Sequence, residues 1–230
     1  MNFLLHHRLA LRDLDAGASA VGAMLPDLWR MADKSVRPAR ALEATVPTRV
    51  AEILAGIEHH ARADTVFHAC RAFVVGERAM SRELGAIPAP KLTLFAHVAW
   101  ELCLDGSLVR REASTLLLAL RGGIERATEN VSGETALEVA ARLHHMARRG
   151  APLPEDFNAR IARLVAEIAR GPWVEGYARG EAVAERLDAI RRRLGLEALS
   201  TTNLRSLSTI LEGAISSADE ALDEILALRL

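Results

Sequence analysis

Histidines and acids recur at four-residue spacing in two stretches of this chain, Gly56–His68 (GIEHHARADTVFH) and His97–Asp105 (HVAWELCLD). On a helix, residues at i, i+4 and i+8 lie along one slowly drifting stripe. His60, Asp64 and His68 therefore share one stripe, and His97, Glu101 and Asp105 share another. The surroundings are apolar: Ile53, Leu54, Ile57, Val66 and Phe67 in the first, Leu94, Phe95, Val98, Trp100 and Leu102 in the second. A buried imidazole or carboxylate is unfavourable unless it is paired, hydrogen-bonded or bound to something. Histidine and acid one turn apart converge on the same side of a helix and can grip a divalent ion. His59 points about 100° away from His60, so the two do not serve one site, and spacing to Asp64 selects His60. The ordinary alternative for each stripe is a solvated i,i+4 pair. Asp105-Gly106 is also a common turn dipeptide, so Asp105 has a second role available in shaping a helix end. His68 is left outside the selected set.

Two further places carry candidate chemistry. In Gly22–Asp27 (GAMLPD), Pro26 biases Leu25 toward extended backbone and suits a first helical turn. Asp27 would then stand near a helix start, where an acid is also an ordinary capping feature. At the N-terminus, His6 and His7 fall on or beside an apolar face made by Phe3, Leu4 and Leu9, where a lone histidine is usually a core residue with its bonds made. His144-His145, next to Arg148 and Arg149, reads as surface. Arg191, Arg192 and Arg193 sit near a helix C-terminus and complement its dipole. There is no nucleophile elbow, no GxGxxG and no CxxC, and Gly122-Gly123 lacks the lysine of a phosphate loop. Chemistry in this chain must therefore run through a metal and His/carboxylate groups.

The elements that position these residues are helices. The chain has 230 residues, half of them hydrophobic and only 4% aromatic. Ala, Leu, Arg and Glu dominate, and β-branched runs between turn residues are nearly absent, so the fold class is all-α. The expected helices cover about 3–14, 18–30, 48–75, 91–104 and 105–120, then 135–149, 154–170, 175–194 and 202–228. Thr48 is a plausible N-cap, Pro154 with Glu155 and Asp156 marks a helix start, and Gly195 marks an end. Residues 34–47 and 82–90 are connectors. The organisation expected is one all-α domain over 1–230, with a site-bearing part over 1–120 and packing helices over 134–230. The C-terminal apolar series Leu204, Leu207, Ile210, Leu211, Ile215, Leu222, Ile225 and Leu226 would cap its own core or pair two copies as a homodimer.

A formal net charge of −1 points to neither nucleic acid nor a membrane surface. Cys70 and Cys103 lie in apolar helical stretches, as reduced, buried thiols of a cytoplasmic protein do. No transmembrane run is expected, and MNFLLHHRLALRD is a poor signal peptide.

The opening MNFLLHHRLA, the GAMLPDLWR segment and the GIEHHARAD segment resemble, in order and rough spacing, the acyl carrier protein phosphodiesterase family. Its members read MNFLAHxxLA, GNxLxDF and GIxxHRxID. They are helical, HD-like, metal-dependent enzymes that remove 4′-phosphopantetheine from acyl carrier protein. The resemblance implies His6, Asp27, His60 and Asp64 as site residues, so it selects the same His60–Asp64 pair as the helical spacing. The family's tryptophan followed by Asp-His corresponds here to Trp100, Glu101 and Leu102. The acid is kept in kind, and His97, one turn earlier, stands in for the histidine. The family's arginine after the motif histidine is Ala61 here, with Arg62 displaced by one. The likeness covers roughly the first 110 residues. The LPD and H-x-x-x-E elements also look like zinc-dependent phospholipase C.

Together these imply an HD-like helical bundle with additional C-terminal packing helices. They also imply a metal-dependent phosphodiesterase in which His6, Asp27, His60, Asp64, His97 and Glu101 hold one or two divalent ions (Mn, Zn, Fe or Mg). Such an ion lowers the pKa of a bound water and neutralises charge on the phosphoryl oxygens. An unligated carboxylate, Glu101 or Asp105, would orient that water, and Arg62 or Arg30 would bind phosphate. The substrate would be an acyl carrier protein, docked on Arg37, Arg40 and Arg49, or a small phosphodiester. The rival reading is a non-enzymatic helical protein with a degenerate hydrolase-like site, acting as a binding module.

Overall fold

A computed structural model describes residues 3–14, 17–39 and 45–229. Among them are eleven α-helices: α1 Phe3–Leu14, α2 Gly17–Ala32, α3 Thr48–Ala69, α4 Arg71–Gly85, α5 Ala96–Ala127, α6 Ala136–Arg149, α7 Phe157–Arg170, α8 Pro172–Glu175, α9 Gly180–Arg193, α10 Thr201–Ser217 and α11 Asp219–Leu226. A two-residue hairpin, β1 Asn130–Val131 with β2 Glu134–Thr135, turns through Ser132 and Gly133. The fold is all-α, as composition indicates.

The contacts divide the chain into two compact units. One comprises Phe3–Asp64 and Ser114–Pro172, the other Thr65–Ala113 and Trp173–Arg229. Each draws on both early and late parts of the sequence. In the first, α1 packs along α2 and α7 lies against α2. Its core includes Phe3, Leu4, Leu9, Met24, Leu25, Trp29, Phe157 and Ile161. In the second, α9 packs against α10 and α11 against α4. Phe73, Met80, Leu104, Leu187, Leu207, Leu211, Ile215 and Leu222 are buried there. The C-terminal apolar series thus covers the core of its own unit.

Several expected boundaries move, each for a physical reason. The helix expected over 48–75 is two helices. Cys70 is extended (φ −71°, ψ 153°), and its Sγ accepts from the Phe73 N–H at 3.5 Å, so a new N-cap starts α4. Asp105-Gly106 does not interrupt α5, which runs through it and deforms instead at Glu112 (φ −130°, ψ 20°). Gly106 is there for room, since a Cβ would run into the Tyr177 carbonyl oxygen. Pro26 lies inside α2 rather than at its start. Every residue from Ala18 to Trp29 is buried, and that burial keeps the helix continuous although Pro26 cannot bond back to residue 22.

An apolar window within 92–127 has the length and mean hydropathy (1.3) of a membrane span, and 78% of it is buried in the structure. His144 and His145 are buried, not surface residues. His144 Nδ1 lies 2.9 Å from the Ala39 carbonyl, and its ring is 5.5 Å from that of Trp29. Arg191 is also buried and does more than offset a dipole. It reaches the carbonyls of Glu197 and Pro90 (3.3 Å each) and the Asp188 carboxylate (3.5 Å).

Candidate metal centre

The first group of candidate ligands lies in the unit formed by Phe3–Asp64 and Ser114–Pro172. It begins with a close helix crossing. A Cβ on Gly56 would stand 2.8 Å from the Ala23 nitrogen and nearer still to the Ser19 carbonyl oxygen. A Cβ on Gly22 would be 3.0 Å from the Ile53 Cα and carbonyl carbon. Two glycines thus let the α2 and α3 backbones touch. That contact sets the Ala23 carbonyl against His60, whose Nδ1 lies 2.8 Å from it.

The Nδ1–H donates to that carbonyl, which fixes the tautomer and leaves the Nε2 lone pair for a ligand. Burial, then the neighbouring His6, pushes the His60 pKa down to about 4, so the imidazole is neutral at physiological pH. A neutral imidazole is the form that binds metal.

His6, on α1 and fully enclosed, stacks beside it with ring centroids 3.9 Å apart. Asp64, one turn beyond His60, brings Oδ1 to 3.7 Å from His6 Nε2 and is 45% exposed. One ligand atom from each of His6, His60 and Asp64 lies within 4.8 Å of the others. Asp27, 8% exposed in the interior of α2, adds negative charge that acts on His60. Two nitrogens and a carboxylate oxygen suit zinc or another first-row divalent ion, and the exposed side of Asp64 leaves room for a further ligand.

The second group lies in the other unit. His68 Nε2 is 3.1 Å and His97 Nε2 3.3 Å from the same oxygen, Glu101 Oε1. His97 Nδ1 faces Glu77 Oε1 at 3.3 Å. Glu101 is 4% exposed. Burial alone would raise its carboxyl, but the polar groups facing it, His68 and His97 among them, hold it well below the usual range. The Glu101 hydrogen bond is the main reason that the His97 pKa is raised.

Of the sequence-selected residues, His6, Asp27, His60 and Asp64 occur together in one unit. His97 and Glu101 occur together in the other, joined by His68, which the spacing argument left out. Glu77 and the Ala23 carbonyl were not selected either, because no spacing rule links α4 to α5 or reads a backbone oxygen. Asp105 is fully buried within α5. Arg62 is exposed on α3, about 200° round the helix from both His60 and Asp64; its charge acts on His59. His59 is itself buried and paired with Asp13 at 2.8 Å. Arg30 and Arg37 are exposed, Arg49 is paired with Glu52 and Glu129, and Arg40 lies outside the described residues. Leu102, at the position of the family's histidine, is buried with the core.

Compared with protein-family models, with curated proteins and with solved structures, the chain finds no match in any of the three.

Proposed function

We propose that this chain is a metal-dependent phosphoester hydrolase, built on an HD-like bundle, with an ion held by His6, His60 and Asp64. The observation that carries the reading is the bond from His60 Nδ1 to the Ala23 carbonyl. It holds a neutral imidazole with its other nitrogen free, inside a group whose ligand atoms lie within 4.8 Å of one another. Core packing alone has no need of a second histidine and an acid at that position. The resemblance in MNFLLHHRLA, GAMLPD and GIEHHARAD supports the same three residues and adds Asp27.

A divalent ion, when bound, supplies Lewis-acid charge for the phosphoryl oxygens and a nucleophile from water near neutral pH. Within the chain, the Ala23 carbonyl orients His60, His6 closes the buried side, and Asp64 faces solvent. Asp27 supplies the extra negative charge that favours a cation there. The substrate proposed is a phosphodiester: the 4′-phosphopantetheine arm of acyl carrier protein or a smaller relative.

Metal analysis after reconstitution with Mn²⁺, Zn²⁺, Fe²⁺ and Mg²⁺ tests the reading, alongside a screen of bis(p-nitrophenyl) phosphate and phosphomonoesters. A bound ion that His60→Ala and Asp64→Ala remove, together with hydrolysis that disappears in parallel, is the expected result. Hydrolysis that survives both substitutions rules the reading out. The absence of any bound ion or turnover leaves the non-enzymatic helical protein in its place.

A further inference from the structure

His68, His97 and Glu101 have more in common with a coordination sphere than with a surface ion pair. Three helices supply the parts: His68 ends α3, His97 and Glu101 lie one turn apart on α5, and Glu77 stands on α4. The separations from Glu101 Oε1 to the two Nε2 atoms are 3.1 and 3.3 Å. For ligands bound at 2.0–2.1 Å in a tetrahedron, neighbouring ligand atoms are about 3.3 Å apart. One ligand atom from each of the three residues lies within 4.8 Å of the others.

The orientation of His97 supports the same conclusion. Its Nδ1 faces the Glu77 carboxylate while its Nε2 faces the shared centre. A carboxylate behind a histidine, with the far nitrogen turned to a cation, is the recurrent outer-shell arrangement of metal-ligating imidazoles.

The rings are also held in place. Phe73 contacts His68 edge-on at 4.7 Å and His97 at 5.1 Å between centroids, and Phe67 buttresses Phe73 at 4.5 Å. Cys70 fixes the backbone of Phe73 through its cap. The two imidazoles are partly exposed (26% and 41% of the side chain) above a buried Glu101. Water can therefore reach a fourth position, as in an exchangeable site rather than a closed structural one.

We propose that His68, His97 and Glu101 form a transition-metal site of their own, with Glu77 as its positioning residue and Zn²⁺ as the class of ion that fits. The N₂O donor set favours borderline first-row ions over Mg²⁺ or Ca²⁺. The site is independent of the ligand set His6, His60 and Asp64, and it stands whether or not that set binds an ion.

The test is stoichiometric titration of the full chain with Zn²⁺ and with Co²⁺, the latter read by its visible absorbance. His68→Ala and His97→Ala are each expected to remove one equivalent that His60→Ala leaves in place. Glu77→Gln removes no ligand and is expected to keep that equivalent while weakening it 10–100-fold. In the unmodified protein, Co²⁺ is expected to broaden the His68 and His97 ring-proton resonances, a readout that does not depend on how well any variant folds. An ion count unchanged by His68→Ala and His97→Ala, with those resonances unbroadened, overturns the site. If the single ion bound is lost in these variants but kept in His60→Ala, this site stands and the His6–His60–Asp64 reading falls.

Discussion

Gly56→Ala is a sharp test of how the sequence builds the first centre. On an exposed helix the change would stabilise by about 1 kcal/mol, because alanine is the better helix former. Here the new Cβ would stand 2.8 Å from the Ala23 nitrogen, whereas ordinary contact begins at 3.4 Å. The opposing atoms are backbone, so no side chain can swing aside. Relieving that contact alone takes a separation of about 0.6 Å, and the Ser19 carbonyl oxygen, nearer still, demands more; overpacking of this kind destabilises by about 1–3 kcal/mol. Because rigid backbone faces rigid backbone, the upper part of that range applies, for a net loss of about 1–2 kcal/mol. In a chain of this length each kcal/mol shifts Tm by about 2–4 °C. The expected fall is therefore about 2–8 °C by circular dichroism.

A displacement of at least about 0.6 Å carries the Ala23 carbonyl from 2.8 Å to about 3.4 Å or more from His60 Nδ1, beyond a good hydrogen bond. Loss of such an orienting partner weakens a metal–histidine site about 10–100-fold. Gly213→Ala in α10 is the matched control: nothing lies within 4 Å of its Cβ, so it should gain stability by about 0.5–1 kcal/mol. A Gly56→Ala protein as stable as the unmodified chain, or one shifted in the same direction as Gly213→Ala, would refute the claim that backbone contact at Gly56 seats the Ala23 carbonyl under His60.

Other consequences are simpler to measure. Thr135 caps α6 in a reciprocal capping box with Glu138, so Thr135→Ala should lower stability by about 1 kcal/mol, or about 2–4 °C in Tm; an unchanged melt contradicts the cap. Arg191→Met strips a buried cation from Asp188 and two carbonyls, with an expected loss of about 3 kcal/mol by urea denaturation; a stabilised variant would show the ion pair to be dispensable. The Gly180 N–H, and then Arg110, hold the Glu212 carboxyl below its ordinary 4.5. A depressed folded pKa stabilises above the unfolded value and loses that contribution as pH falls through the folded one. Glu212→Gln should therefore make the loss of stability below about pH 4.5 shallower, and an unaltered acid limb would count against it. Cys103 is fully buried and burial raises its thiol pKa, while Cys70 is half-buried. An aromatic disulfide reagent should titrate one fast thiol in the native chain and two after unfolding, and Cys70→Ser should abolish the fast one.

The helical nature of the fold and the His60–Asp64 pair were both legible in the sequence, for the same reason: each depends on spacing along one helix. Where two helices meet, spacing along one of them no longer decides which residues come together. His68 looked like the trailing end of the first stripe, yet in the structure it faces the second one, across from Glu101. Eight residues on at about 100° each, His68 stands about 80° round α3 from His60, and Phe73, which packs against it, is reached only through the turn at Cys70. The periodic pattern runs straight through that residue, because a thiol cap leaves no glycine or proline signature. Asp27 was selected on the premise that Pro26 starts a helix. In the structure Pro26 lies inside α2, and Asp27 is buried there with its charge acting on His60. A proline inside a helix is tolerated where burial on every side outweighs one missing hydrogen bond.

The two glycines at the α2–α3 crossing carry information that composition does not reveal. Gly22 and Gly56 appear in the sequence as helix-weakening residues, each unfavourable by about 1 kcal/mol relative to alanine. In the structure they set the interhelical distance. That distance determines whether a backbone carbonyl can reach an imidazole, and the carbonyl determines which nitrogen is left for a ligand. A single search of the sequence for glycines in helical stretches opposite a candidate histidine would have found the crossing, because only close helix packing repays the propensity they give up. The same logic applies to Gly76, whose missing Cβ leaves space that the Trp100 indole fills. Gly76 adjoins Glu77, and Trp100 adjoins Glu101. In both units, therefore, the glycine that lets two helices approach stands beside or one turn before a residue of the candidate site. The positions that look weakest as helix are the ones that bring the candidate ligands together.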